Sequence, residues 1–175
     1  MFNYITPSLL NSWLYVLHNE NADIQNFIDY LNKVKQETTE AQQKGLDFEE
    51  EVYKGNKPAY NVYVKNGLYQ IKVSKDYKGI KLLGIIDVLQ PNHIYDVKTT
   101  SKYEIGKYFH TSQHIIYPFC TGIKNFSYLI NEECWVETYH YKDGQCEELI
   151  DQFIDWLKQT SLYDTWKEKW RKETW

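Results

Sequence analysis

The stretch IYDVKTTS, residues 94 to 101, sets Asp96 and Lys98 two positions apart in a run rich in β-branched and aromatic residues. Successive side chains of a strand alternate between faces, so this carboxylate and this amine stand side by side on one of them. Between GIIDVL and IYDVKT lies QPNH, whose Pro91 and Asn92 suit the corners of a tight turn. With those two as the loop, Gln90 pairs with His93, Leu89 with Ile94, Val88 with Tyr95, and Asp87 with Asp96. A four-residue loop keeps this register, whereas an odd loop with a bulge breaks it. In the even register Ile86, Val88, Tyr95 and Val97 face the core, while Asp87, Asp96 and Lys98 share the other face. Opposed carboxylates cost stability unless a cation lies between them. Two hard oxygen ligands, with water and a phosphate completing the shell, suit Mg²⁺ or Mn²⁺. A lysine beside them can position an attacking water and offset charge developing on a phosphoryl group. The chemistry this cluster would perform is phosphodiester hydrolysis. For the tripeptide alone, a solvated strand face with a weak ion pair is the better account, because short motifs match often by accident.

The elements that must position these residues are legible as changes of period. TPSLLNSWLYVL carries Thr6 as an N-cap, Pro7 at the first helical position, and Leu9, Leu10, Trp13, Leu14 and Leu17 on one stripe. A second helix is expected in ADIQNFIDYLNKV, with Ile24, Phe27, Ile28, Leu31 and Val34 in helical spacing, and a third in AQQKGLDFEEEVY. From residue 60 the period changes to two, and YNVYVKNGLYQIKV reads as a hairpin around Asn66 and Gly67. Strands follow in IKLLGIIDVL and HIYDVKTT. The segment SKYEIGKYFHTSQHIIYPFCTGI reads as loop and helix, FSYLIN and WVETYHY as strands, and a last helix begins near CEELIDQFIDWLKQ. The expected fold is α/β, a mostly antiparallel mixed sheet flanked by helices, in one domain. Residues 1–58 are expected to be mainly helical, 59–140 to form the sheet core, and 141–175 to form a C-terminal helix.

Composition bounds the function classes. At 175 residues with 42% hydrophobic and 25% charged content, the chain can bury a core of its own. No apolar run approaches the length of a membrane span, and MFNYITPSLL lacks the basic region and cleavage site of an export signal, so a cytoplasmic protein without a membrane partner is expected. A net charge of −4 argues against holding nucleic acid by bulk positive charge, but leaves room for a local basic groove. Cys120, Cys134 and Cys146 are odd in number, widely spaced and without a C-x-x-C pair, which points to reduced structural thiols.

GIIDVL, then IYDVKT, then Gln113 and Tyr117 in SQHIIY resemble the PD-(D/E)XK nuclease superfamily, in particular its RecB-like branch, which adds a Q-x-x-x-Y helix after the D/E-x-K strand. KGLDFEEEV resembles that branch's first motif, and YITPSLLNSW its Y-S-P-S-x-L-N start; the matches run in the family's order from Tyr4 to Tyr117. The resemblance implies a restriction-endonuclease-like core, DNA as the partner, and Mg²⁺ or Mn²⁺ as the cofactor. It implies Asp87 and Asp96 as metal ligands with the backbone carbonyl of Val97, Glu49 as a direct or water-mediated ligand, and Lys98 as the catalytic lysine. Gln113 and Tyr117, one helical turn apart, would orient that lysine and contact nucleic acid, and Thr99 and Thr100 would bind backbone phosphate. Such chains act in recombination, repair or phage DNA processing. The first motif here lacks the histidine that many relatives carry, Glu50 and Glu51 compete with Glu49, and Pro118 after Tyr117 is expected to kink the helix. A subgroup with four cysteines holds an iron–sulfur cluster, which three cysteines cannot copy.

Other residues have plainer readings. His93 suits a turn, and His110 and His114 suit packing or solvent. The tail WKEKWRKETW mixes tryptophans with basic groups, as a base-stacking surface would, but Trp166 and Trp170 at i and i+4 favour packing of a terminal helix. The 16 tyrosines have no functional reading in the sequence. Three classes follow: a metal-dependent nuclease, a non-catalytic nucleic-acid-binding module on the same fold, and an interaction domain on which these residues are surface charge.

Overall fold

In the computed structural model, which describes residues 1–35 and 37–175, the chain opens with a short strand, β1 (Phe2–Ile5), that hands over to helix α1 (Pro7–His18) at Thr6. The Thr6 hydroxyl accepts the Leu9 N–H at 3.3 Å, and Pro7 supplies a preset φ where no amide donor is needed. Leu9, Leu10, Trp13 and Leu14 are buried as their spacing predicts, but Leu17 is exposed, because the last turn of α1 projects beyond the core. Helix α2 (Ile24–Leu31) is capped by Asp23 and buries Phe27 and Leu31, whereas Ile24 and Val34 lie outside the packed stripe. Helix α3 (Glu40–Tyr53) begins with a reciprocal box between Thr39 and Gln42.

The hairpin expected at Asn66 and Gly67 is not formed. Pro58 starts a helix, α4 (Pro58–Val64), that buries Tyr60 and Val64 one turn apart, and the Asn-Gly pair only turns the chain from α4 into β2 (Leu68–Tyr77). A short alternating run satisfies period two and an i, i+4 pair equally well, and burial of Tyr60 and Val64 decides between them. Gly67 is needed there because a Cβ would lie 2.5 Å from Val88 Cγ1. The hairpin lies one strand later, at Lys78 and Gly79, both with positive φ, between β2 and β3 (Ile80–Gln90).

β4 (His93–Lys98) returns antiparallel to β3 in the expected even register, with Val88 opposite Tyr95, Leu89 opposite Ile94 and Gln90 opposite His93. Helix α5 (Gln113–Thr121) crosses the sheet, β5 (Asn125–Ile130) lies parallel to β4, and β6 (Trp135–His140) closes that edge. The 141–175 region is not one helix but α6 (Gln145–Gln159), α7 (Tyr163–Lys169) and a two-residue strand, β7 (Arg171–Lys172). β7 pairs with β1, and β1 runs parallel to the start of β3, so the ends of the chain complete a mixed, mostly antiparallel sheet of order β6-β5-β4-β3-β1-β7, with β2 on β3. β2 covers one edge of β3. The other edge is shared by β1, at Ile80 to Leu82, and β4, at Val88 to Gln90, so residues 83–87 have no ladder partner on that side.

Both faces of the sheet are covered by helices, as expected, but Ile86 does not share a face with Val88, Tyr95 and Val97 as a regular register requires. Ile86 and Ile94 pack in the main core with α1, α5 and α6, while Val88 and Val97 pack in a second cluster with Val52 and Tyr60 of α3 and α4. The residues on either side of Asp87 therefore enter different clusters.

The tyrosines acquire a role in this packing. Tyr108, Tyr117, Tyr128 and Tyr139 form an aromatic layer in which His114 is buried, stacked on Tyr139 at 4.1 Å and bonded to the Tyr128 hydroxyl at 3.2 Å. Burial lowers the His114 pKa to about 4. The folded form thus refuses a proton that the unfolded chain accepts near pH 6.5, so stability is complete at neutral pH and falls as pH drops from about 6.5 towards 4. Urea unfolding of wild type and His114→Phe at pH 7 and pH 4.5 checks this. The variant should lose about 2–3 kcal/mol less on acidification, and equal losses would refute the assignment.

Candidate active site

Asp87 stands at the notch between β1 and β4. It is the one position at which the β2–β3 ladder is interrupted, opposite Gln70, and the β3–β4 ladder stops just before the pair Asp87 and Asp96. Freed on both sides, its carboxylate turns to accept the Val97 N–H at 2.9 Å. Asp96 lies on β4 beside Tyr128 of β5 and is 2% exposed. Its Oδ2 is buried and is paired with Lys98 Nζ at 2.5 Å. The Lys98 side chain keeps 27% of its surface exposed and lines a groove beside α3.

Burial pushes the Asp87 carboxyl well above the usual range, Asp96 and Glu49 add to the effect, and Lys98 and the Val97 N–H oppose it. Asp96 is raised by burial against the pull of Lys98. Burial works to lower Lys98, but Asp96 and Asp87 outweigh it and hold the ammonium above its ordinary value. The cluster carries more negative charge than its surroundings neutralise.

Glu49 reaches this cluster from α3 through a bridge. Its Oε1 accepts the Tyr53 hydroxyl and, at 2.7 Å, the Gln70 amide, which also contacts Tyr53 at 2.7 Å and Asp87 Oδ1 at 3.4 Å. Glu50 and Glu51 point elsewhere and pair with Lys54. Among the described residues, no three His, Cys, Asp or Glu side chains form a ready-made cage. The donor set nonetheless fits a hard divalent cation, since such ions commonly take one or two carboxylates and fill the shell with water and phosphate, and the two strand acids here have one ammonium, that of Lys98, between them.

α5 is set against this strand by α1. Asn11 Oδ1 accepts both the Ser112 N–H (2.7 Å) and its hydroxyl (2.8 Å), and Asn11 Nδ2 donates to Gln113 Oε1 at 2.9 Å. Gln113 thus bonds to α1 and not to Lys98. Tyr117 is buried, and its hydroxyl is pushed well above the usual range by burial and then by Asp96 and Asp87. The expected kink at Pro118 does not end the helix; α5 continues to Thr121. A Cβ at Gly84 of β3 would sit 2.5 Å from Tyr117 Cε1, so only glycine lets the ring lie this close to the strand.

A groove of about 930 Å³ runs from Tyr30 and Val34 past α3 to Glu49, Lys98 and Thr99. Thr99 faces it, whereas the Thr100 hydroxyl is held inside the following loop by Lys102 O and Lys107 Nζ, and its N–H by Asn131. His93 bonds Ser127 and stacks on Tyr95, and His110 stacks on His18, so neither enters the cluster. Gln70 and Tyr53 were not singled out in the sequence. Tyr53 lies one turn after Glu49, a spacing that could have flagged it, while Gln70 had no local signal.

No family model matches the chain, and no curated protein matches its sequence. Solved structures do align with it. An alkaline exonuclease, LHK-Exo from Laribacter hongkongensis, is 14% identical with a TM-score of 0.55, over 90% of this chain and 93% of that one. The same enzyme in complex with dAMP gives 13% and 0.56, over 90% and 92%. The structure of SSO0001 gives 11% and 0.53, over 92% and 78%. This likeness is one of fold: the mixed sheet and its flanking helices are arranged as in an exonuclease of known structure. Among the described residues, no helix is long and apolar enough to cross a membrane.

Proposed function

We propose that the chain is a metal-dependent nuclease that hydrolyses DNA phosphodiester bonds, acting as an exonuclease of the RecB-like type in recombination, repair or phage DNA processing. The observation that carries this reading is the buried Asp96 carboxylate paired at 2.5 Å with a partly exposed lysine and lying next to a second acid released from both of its ladders. A non-catalytic binding module would gain nothing from two acids held at this notch, because neighbouring carboxylates cost stability unless a cation lies between them. The fold shared with an alkaline exonuclease, solved with dAMP, supports the substrate class.

Asp87, Asp96 and the Val97 carbonyl would hold Mg²⁺ or Mn²⁺, with Glu49 completing the site directly or through water. The bound ion would neutralise phosphate charge and acidify a water molecule. Lys98, kept charged by Asp96 and Asp87, donates to phosphoryl oxygens and holds the attacking water in place. Tyr117 packs against β3 and excludes water from the far side of the two acids. Thr99 offers its hydroxyl to the backbone of a strand lying in the groove, and Gln113 braces α5 on α1 behind it.

End-labelled and circular DNA, each single- and double-stranded, incubated with Mg²⁺, Mn²⁺ or EDTA, tests the reading. We expect cleavage of end-bearing substrates that needs the metal, stops in EDTA and falls about 10²–10³-fold in Lys98→Ala. Undiminished cleavage by Lys98→Ala would remove the active-site assignment, and cleavage in EDTA would remove the metal.

A further inference from the structure

Seven non-glycine residues have a positive φ among those described, and six of them, Lys33, Asn66, Lys78, Asn131, Cys134 and Ser161, sit in turns. Gln70, at φ +53°, lies inside a strand. A glutamine there is strained by roughly 1–3 kcal/mol and persists only when its surroundings demand it. The ladder resumes on both sides in unchanged register, Tyr69 opposite Val88 and Ile71 opposite Ile86, so no residue has been inserted and the feature is not a bulge. Gln70 is exposed, so core packing does not impose the conformation either. What it secures is the reach of one amide to Glu49, Tyr53 and Asp87.

We infer that Gln70 is a positioning residue: its amide ties Glu49 of α3 to Asp87 of β3 and so presents the helix acid to the cation that the two strand acids would hold. The inference rests on the nuclease reading for the existence of that cation. Without the bridge, Glu49 and Asp87 repel each other across the notch, since Glu49 Oε1 and Asp87 Oδ1 lie 2.7 and 3.4 Å from one amide nitrogen. An amide is suited to the place because it donates to both carboxylates and adds no charge of its own.

The test separates backbone from amide. Gln70→Gly adopts the left-handed conformation without strain and deletes the amide, and Gln70→Asn tolerates it with a side chain one methylene too short. Mn²⁺ binding is followed by the electron paramagnetic resonance of the free ion, and folding by thermal unfolding in EDTA, with Asp96→Asn as reference. We expect Gln70→Gly to melt at or above wild type, and both variants to bind Mn²⁺ about 10–100-fold more weakly. Wild-type Mn²⁺ affinity in either variant overturns the role of Gln70. Wild-type protein that binds no Mn²⁺, or Asp96→Asn that binds it as tightly as wild type, refutes the cation site itself and this inference with it.

Discussion

In EDTA, Asp87→Asn protein will melt above wild type by about 2–8 °C, while its DNA cleavage falls by about 10³-fold and its response to Mn²⁺ disappears. The substitution removes one charge at nearly constant volume, and an asparagine oxygen can still accept the Val97 N–H that Asp87 Oδ2 accepts at 2.9 Å. What is lost is repulsion. Burial, Asp96 and Glu49 all disfavour the ionised Asp87, and Lys98 offsets them only in part. Relief on the order of 1–2 kcal/mol follows at an effective dielectric near 20, and each kcal/mol moves the melting temperature of a chain this long by about 2–4 °C. Because the folded form binds the Asp87 proton more tightly than the unfolded chain does, the penalty is absent in acid and present above the ordinary carboxylate range. The gain of the variant therefore shrinks as pH falls. Wild type, in contrast, gains stability with Mn²⁺ concentration, by about 2.7 kcal/mol at a hundredfold excess over Kd. Thermal unfolding of both proteins, in EDTA and across a Mn²⁺ series, gives all of these readings. A variant that melts lower in EDTA and still responds to Mn²⁺ as wild type does would show that Asp87 braces the fold and holds no metal.

Trp166→Ala carries the largest expected cost to folding, about 3–5 kcal/mol, or a drop in melting temperature of about 6–20 °C. Trp166 is 1% exposed, and its indole N–H donates to the Tyr4 carbonyl at 3.2 Å. The same junction holds Trp170, whose indole donates to Leu31 O at 2.8 Å and whose carbonyl accepts the Tyr4 N–H at 3.0 Å. The tail thus fastens β1 to the sheet and α2 to the tail. Below its melting temperature the variant should bind DNA as wild type does, and so should Lys167→Glu with Lys169→Glu. A large loss of affinity in that charge-reversed protein, with the fold intact, would restore the tail as a nucleic-acid surface.

What the sequence settles about this protein is local. Thr6 and Pro7 start α1, Thr39 and Gln42 start α3, and the two-residue loop at Pro91 and Asn92 sets the β3–β4 register, because capping and tight turns depend on residues within about four positions of one another. That register by itself sets Asp87, Asp96 and Lys98 near one another. The tertiary structure decides what depends on distant partners. β1 and β7 are too short to show a period, and they are strands only because each pairs with chain from the other end of the sequence. Residues 58–64 become helix because Tyr60 and Val64 find a buried cluster with Val52, Val88 and Val97. The release of Asp87 on one side comes from the parting of β1 and β4 along that edge of β3 and on the other from the break in the β2 ladder at Gln70, whose amide meets Glu49 only once α3 has docked beside that notch. Such pairings join groups tens of residues apart, and no spacing rule within a single sequence can encode them.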